Sequence, residues 1–436
     1  MLHSSVTKYK LHYAWVILFA ACALSIASRA DHGSFGVFVE PLVELFGWSR
    51  GDISFAYSIA FIVGLPAVVI MGWLGDRYGA RVLMMAASAL ITVGTILLGT
   101  ITELWHFYVF YGFFVGSMGH AAFTVLLPVI LTRWFTRYMG LAVGIYWAAL
   151  GIGPMIFAPL FRWLIETRGW ENAFMMIGAS VGVMLFGFSA LIRSAPEEKG
   201  LAPYGADEGS RKMPVHAGAA SVKVPLRHIV SQRPVWLLIG IHLLGCAGHS
   251  VILAHIVSMA ILEGISGMEA ATALSMIAGA SAISRFASAL IAARFGGRLL
   301  LTLALIGQSA PVFILFFAHD AWTFYAFALI FGLCYGGEMV GFPIINRQLF
   351  GASAPLGTIY SLQMVGAGIG MALGGWLGGA LFDLSGTYTW SIIAAIALTH
   401  RKRRDTKYQK PGDQVKVRPR DRLRVLSMPS EKRESQ

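Results

Sequence analysis

The sequence predicts an all-α, polytopic membrane protein built as two six-helix bundles. Three observations predict it. Hydrophobic residues make up 56% of the 436 residues and charged residues only 13%, with a mean hydropathy of +0.67. A soluble domain carries about 25% charged residues, so a water-facing surface cannot be assembled from this composition. Apolar runs near the roughly 20 residues needed to cross a bilayer then recur along the chain, with a long polar stretch between the sixth and the seventh. The same composition excludes a disordered, collagen-like or disulfide-stapled chain, since only three Cys are present and each lies in an apolar run.

Taken in order, the runs lie near 14–39, 53–74, 82–101, 104–132, 139–164 and 172–193, giving an N-terminal bundle over 1–193. Residues 194–233 read as a cytoplasmic linker, with several charges and with Pro203, Pro214 and Pro225. The second set lies near 235–262, 270–293, 299–318, 321–345, 357–382 and 388–400, a C-terminal bundle over 234–400. The twelfth run has 13 residues before a basic block begins at Arg401. At 1.5 Å per residue it spans about 20 Å, short of a hydrocarbon core of about 30 Å. Either the helix is short, or the natural end of the chain has been replaced after residue 400.

The net charge of +12 is misleading, because residues 401–436 supply 13 Lys+Arg against 5 Asp+Glu. This tail, expected to be disordered, has no aromatic interleaving and follows a membrane body. It suits solvent or anionic lipid headgroups rather than nucleic acid. With both termini cytoplasmic, the short inside segments hold 9 Lys+Arg against 3 in the outside loops, Arg50, Arg162 and Arg168. The positive-inside rule therefore orients the chain in a cell (inner) membrane. The first run is too long for a signal-peptide core and is read as an uncleaved span.

The two halves repeat. Gly72, Asp76, Arg77, Gly79 and Arg81 recur at an offset of 217 as Ala289, Ala293, Arg294, Gly296 and Arg298, and Ser49 and Ser58 recur as Ser266 and Ser275. Weak internal symmetry between two bundles is a transporter signature. The loop GWLGDRYGAR (72–81) resembles motif A of the major facilitator superfamily, G-x-L-x-D-R-x-G-x-R, in the expected place between the second and third spans. The resemblance implies the major facilitator fold and a conformational latch through Gly72, Asp76, Arg77, Gly79 and Arg81 that holds in one access state and breaks in the other. The second copy lacks the acidic residue, so its latch is weaker or absent.

A narrower set of fragments, SFGVFVEPL (34–42), FGWSR (46–50), TRWF (132–135), GW (169–170), YGG (335–337) and GGWLGGALFDLSGTY (374–388), is similar to bacterial monocarboxylate and oxalate/formate transporters. This resemblance implies a small carboxylate as substrate, with proton coupling or exchange. It also implies that Arg285, in the eighth span, contacts the substrate. In part of that group a carboxylate stands four residues earlier. Here the position is Ser281, which puts the usual proton-coupling pair in doubt.

Independently of any resemblance, ionisable groups in a bilayer are costly and face a cavity. Arg285 lies nine residues before Arg294, about 13 Å deep. With Ser281 and Ser288 on its face, the stripe is expected to line the pore. A guanidinium stays charged and grips a carboxylate bidentately; the competing reading is an ion pair with Glu338. Arg29, Asp31 and His32 cluster in the first span, so Asp31 either takes up a proton or pairs with Arg29. Asp31, Glu338 and His32 are the proton-coupling candidates. His120, Tyr57, Tyr146, Tyr360 and Gln363 are candidate substrate hydrogen-bonding groups, with helix packing as the alternative role. His242 and His249 share a face of the seventh span and His255 turns away. No carboxylate stands beside them in sequence, so no metal site is expected.

Gly366, Gly370, Gly374 and Gly378 form a small-residue packing stripe. No phosphate loop, nucleophile elbow or metal-binding helix motif occurs, so neither a cofactor nor an enzymatic activity is expected. The expected function is alternating-access transport of a small organic anion, a monocarboxylate or an oxalate-like compound. The alternatives are export of a cationic or apolar compound with Glu338 as the binding charge, and a non-transporting sensor or defective gene product. The oligomeric state, the substrate and the coupling ion stay open.

Overall fold

The computed structural model describes residues 12–206, 230–350 and 356–400; a few side chains within them, that of Asp76 included, lie outside the description. The basic tail and most of the linker are therefore outside the described residues. Among the described residues the chain is helical, apart from one isolated bridge between Phe135 and Tyr204.

The first span is broken. Helices over Tyr13–Ser28, Ala30–Gly33 and Phe35–Phe46 are separated by Arg29 and Ser34, each with φ near −103° and ψ near 0°. The break falls on the segment that carries Arg29, Asp31 and His32, and helix breaks at membrane depth are tolerated where protein or water re-satisfies the backbone. The second span is Arg50–Tyr78 and the third Ala80–Leu98. The fourth runs over Leu104–Trp134, with a π-helical section over Tyr108–Gly119 just before His120. The fifth and sixth form one run, Met139–Leu191, interrupted only at Gly169, where φ is 77° and the backbone turns back. Only glycine takes that conformation cheaply, so the spans are 139–168 and 170–191.

The second half comprises Arg233–Leu262, Gly267–Phe295 and Gly297–Ser309, the last continued by a 3-10 turn over Pro311–Phe317. Ala321–Phe350, Leu356–Ser385 and Thr389–His400 complete it. The twelfth span is thus short, as its composition indicates.

The repeat seen in sequence reappears as geometry. Ser49 and Ser266 both cap helices, their hydroxyls accepting from the N–H of Asp52 and Glu269. An N-cap serine satisfies a donor that the helix itself cannot. Gly79 and Gly296, 217 apart, both end helices at φ 83° and 86°. Ser58 donates to the Ala372 carbonyl at 2.6 Å and Ser275 to the Met155 carbonyl at 2.5 Å; acceptors, like donors, are 217 apart. The two halves therefore meet along equivalent seams, second span against eleventh and eighth against fifth.

Glycines set how closely these spans approach. A Cβ on Gly366, Gly370 or Gly374 would strike the seventh-span backbone at Ile239, Leu243 and Ala247. The stripe expected from sequence is therefore a packing face within the C-terminal half. A second glycine face, at Gly368, Gly375 and Gly379, abuts Leu65, Tyr57 and Arg50 of the second span.

Where that face ends, the halves are clamped. Arg50 grips Glu40 bidentately, Nε to Oε1 at 2.8 Å and Nη2 to Oε2 at 2.5 Å. Its guanidinium lies 4.4 Å from the Phe382 ring centre. The Asp383 carboxylate accepts the backbone N–H groups of Arg50, at 3.1 Å, and Gly51, at 2.7 Å. A carboxylate at a helix N-terminus is favoured by the helix dipole and by the unsatisfied donors there. His255, beside this clamp, bonds the Gly375 carbonyl at 2.9 Å and the Tyr388 hydroxyl at 3.1 Å.

Two consequences are measurable by thermal unfolding in detergent. Gly374→Leu should destabilise the protein by about 1–3 kcal/mol by overpacking, whereas Gly240→Ala, with open space around its Cβ, should be neutral or stabilising. Asp383→Ala, which removes the acceptor of two helix N-terminal donors, should cost about 0.5–2 kcal/mol.

Candidate functional site

The centre of the molecule holds two arginines from opposite halves. Arg285 of the eighth span reaches across the seam, its Nη1 donating to the Trp147 carbonyl of the fifth span at 3.2 Å. Its guanidinium carbon lies 5.9 Å from the Tyr335 ring centre. Arg29, at the break in the first span, lies within electrostatic reach of Arg285 and of Tyr57, Tyr146 and Tyr335. The Nε of each arginine is enclosed and makes no hydrogen bond among the described residues. No ion pair to either guanidinium is present among them.

This corrects two expectations. Glu338 is not the partner of Arg285: its Oε2 accepts from Gln308 Nε2 at 2.9 Å and lies 3.3 Å from His249 Nδ1. Asp31 is not paired with Arg29. It is 1% exposed and accepts from the Thr95 hydroxyl of the third span at 2.6 Å, with Oδ1 unbonded. Helical position explains the second case, because residues i and i+2 point to different sides of a helix.

Aromatic groups surround the two cations. His32 stacks between Tyr57, at 5.8 Å, and His120, at 5.3 Å, and contacts Phe61 at 5.1 Å. Tyr146 adjoins Trp147, whose carbonyl holds Arg285, and Tyr360 lies within electrostatic reach of Arg285. Of the residues singled out from sequence, the fold thus gathers Arg285, Tyr57, Tyr146, Tyr360, His120 and His32 at the centre.

Gln363 is diverted. Its amide exchanges two hydrogen bonds with Asn346 of the tenth span, at 3.0 and 2.8 Å, and is fully buried. The expected serine stripe also turns away: a Cβ on Gly336 would meet Ser281 and Ser284, and one on Gly337 would meet Ser288. These serines face the tenth span while Arg285 alone swings toward the fifth.

Arg29 is the central residue whose role the sequence concealed. A neighbouring Asp31 made an internal pair the simpler reading, and only the helix break separates them. Glu40 and Asp383 were missed as well, since charges at helix ends ordinarily face water. The signal available was their place inside the fragments 34–42 and 374–388.

At the opposite end of the second span, Gly79 supplies the turn that the motif needs. A Cβ on Gly72 or Gly75 would meet Val125 or Leu126 of the fourth span. These two glycines therefore pack within the N-terminal half. Arg77 lies over Trp73 and Tyr78, and both Arg77 and Arg81 are exposed. The side chain of Asp76 lies outside the described residues.

His242 and His249 do share one face of the seventh span, with Phe342 stacked on the first ring at 3.8 Å and Tyr335 against the second at 4.8 Å. The ground for discounting a metal there does not hold, because the tenth span brings Glu338 beside them.

Comparison with known proteins agrees with this architecture. Residues 17–336 match the profile of the Major Facilitator Superfamily. The chain is similar to monocarboxylate transporter 13 of Rattus norvegicus, 26% identical over 388 residues, covering 88% of this chain and 86% of the relative. It is similar to the uncharacterized MFS-type transporter YcxA of Bacillus subtilis, 23% identical, covering 88% of this chain and 91% of that one. The oxalate:formate antiporter of Oxalobacter formigenes is 22% identical over 182 residues, 41% of this chain and 42% of its own length. Among solved structures, a bacterial homologue of the human lysosomal transporter Spinster superposes with a TM-score of 0.70 at 14% identity, covering 91% of this chain and 97% of that one. With twelve helical spans in two related halves and this match across most of its length, the chain belongs to the Major Facilitator Superfamily of membrane transporters.

Proposed function

We propose that the protein carries a small organic anion, a monocarboxylate or an oxalate-like compound, across a cell (inner) membrane by alternating access. The observation that carries this reading is the pair of guanidiniums, Arg285 and Arg29, held together at the centre with no carboxylate opposite them. Two like charges taken out of water repel and lose hydration, and only an anion compensates both. A carboxylate offers each planar fork a matching acceptor edge. The names of the relatives, monocarboxylate transporters and an oxalate:formate antiporter, point the same way.

Substrate would enter between the halves, lie between Arg29 and Arg285, and be bounded by Tyr57, Tyr146, Tyr360 and His120. The halves would then rock along the Ser58–Ala372 and Ser275–Met155 seams. The clamp of Arg50, Glu40 and Asp383 closes the outside end, and the motif around Asp76 engages at the cytoplasmic end. Asp31 is the favoured proton carrier. It is a buried carboxyl with one hydroxyl partner, in the span that carries Arg29 and His32, and a carboxylate without a cation is costly in hydrocarbon. Export of a cation by way of Glu338 is less well supported, because that carboxylate sits among Gln308 and His249 rather than beside the central cluster.

Uptake of labelled lactate and oxalate into proteoliposomes tests the reading. Arg285→Ala should abolish uptake. Arg285→Lys, which keeps the charge but not the fork, should weaken apparent affinity by about tenfold to a hundredfold, corresponding to about 1.5–3 kcal/mol for a hydrogen bond to a charged group. Arg29→Ala should weaken it comparably. Undiminished uptake by Arg285→Ala would overturn the proposal. Asp31→Asn should lose accumulation driven by an imposed pH gradient while retaining counterflow of preloaded substrate; retained pH-driven accumulation would remove Asp31 from coupling.

A further inference from the structure

A second polar cluster lies inside the C-terminal half. His242, Cys246 and His249 stand at i, i+4 and i+7 of the seventh span, so one helix face presents all three. Glu338 of the tenth span meets that face. Ligating atoms of His242, Cys246 and Glu338 all lie within 4.8 Å of one another. His249 Nδ1 lies 3.3 Å from Glu338 Oε2, and Gln308 of the ninth span donates to the same oxygen at 2.9 Å. All four residues are at most 4% exposed.

We propose that His242, Cys246 and Glu338 form a binding site for one divalent transition metal of the zinc class, with His249 as fourth ligand or as the group that orients Glu338. The donor set decides the class. One thiolate, imidazole nitrogen and one carboxylate oxygen suit zinc and its borderline neighbours, and are foreign to calcium or magnesium, which want oxygen alone. Tetrahedral zinc holds sulfur at about 2.3 Å and nitrogen or oxygen at about 2.0–2.1 Å, so its ligand atoms stand roughly 3.5 Å apart. Drawing together atoms no more than 4.8 Å apart requires shifts of about 1 Å, within the reach of side-chain rotation.

Charge favours the same assignment. A divalent cation, a thiolate and a carboxylate sum to zero with neutral imidazoles, and a neutral assembly is the kind that a low-dielectric interior tolerates. Binding forms the metal–sulfur bond and releases the Cys246 thiol proton to water. No electron is transferred. Gln308, hydrogen-bonded to the carboxylate, fixes its orientation, as outer-shell partners do in metal centres. The site lies apart from the two arginines: Tyr335, against both His249 and Arg285, stands between them.

The experiment uses the tag-free, full-length protein, stripped with chelator and then loaded with zinc or with cobalt(II) as a spectroscopic substitute. One metal per chain should survive desalting, and the cobalt form should show a thiolate-to-metal charge-transfer band. Cys246→Ser should lose that band, and Glu338→Gln should weaken metal affinity at least tenfold. His319→Ala, which removes an exposed imidazole paired with Glu263 at 2.6 Å, should change neither. The spectrum of the unsubstituted protein reads the thiolate directly and does not depend on any variant folding. Failure to retain metal, retention without the charge-transfer band, a band that persists in Cys246→Ser, or loss of metal in His319→Ala would each overturn the proposal.

Discussion

The structure turns on two guanidiniums enclosed at the meeting of the halves without acidic partners. In an interior of low dielectric such charges are tolerated only when local dipoles and aromatic faces hold them. Here the Trp147 carbonyl and the Tyr335 ring hold Arg285. The break in the first span at Arg29 places a second cation in the same region, brought there from the other half. Two carboxylates are buried nearby, yet each is turned elsewhere, Asp31 to Thr95 and Glu338 to Gln308 and His249. The chain thus keeps its buried acids away from its buried bases, an arrangement that leaves the bases available to an anion.

The second theme is symmetry in the contacts. Equivalent serines reach equivalent carbonyls across the two seams, and equivalent glycines end the second and eighth spans. A Cβ on Gly153 would strike the Ile26 carbonyl, and one on its counterpart Gly370 would strike that of Leu243. The symmetry is broken where chemistry differs. The clamp of Glu40, Arg50 and Asp383 belongs to the second-span seam. The eighth span carries Arg285 at a position whose counterpart is Val68. Related scaffolds with unlike inserts give one half the charge that the other half lacks.

Particular residues show how far the sequence could be read. Hydropathy and the polar division fixed the helical spans, and the offset of 217 was visible because capping serines and turn glycines have local conformational reasons to persist. Arg285 was legible because a lone arginine in an apolar helix has few roles. The glycine stripe from Gly366 to Gly378 was legible as packing by its spacing alone, though not which helix it met. Arg29 was misread because sequence proximity to Asp31 suggested a pair that helical direction forbids. Gln363 was misread because its partner, Asn346, lies on another span. Glu338 could be placed at mid-span but not assigned neighbours.

By itself, then, the sequence determined that the chain lives in a membrane, that it is helical and doubled, and that a cation sits at mid-depth. Those properties follow from composition and period, which act along one chain segment at a time. Only the tertiary structure decided which charges face each other. Ion pairing, hydrogen bonding and metal coordination depend on distances of a few ångströms between different helices, and these are set by which glycine faces allow which spans to touch.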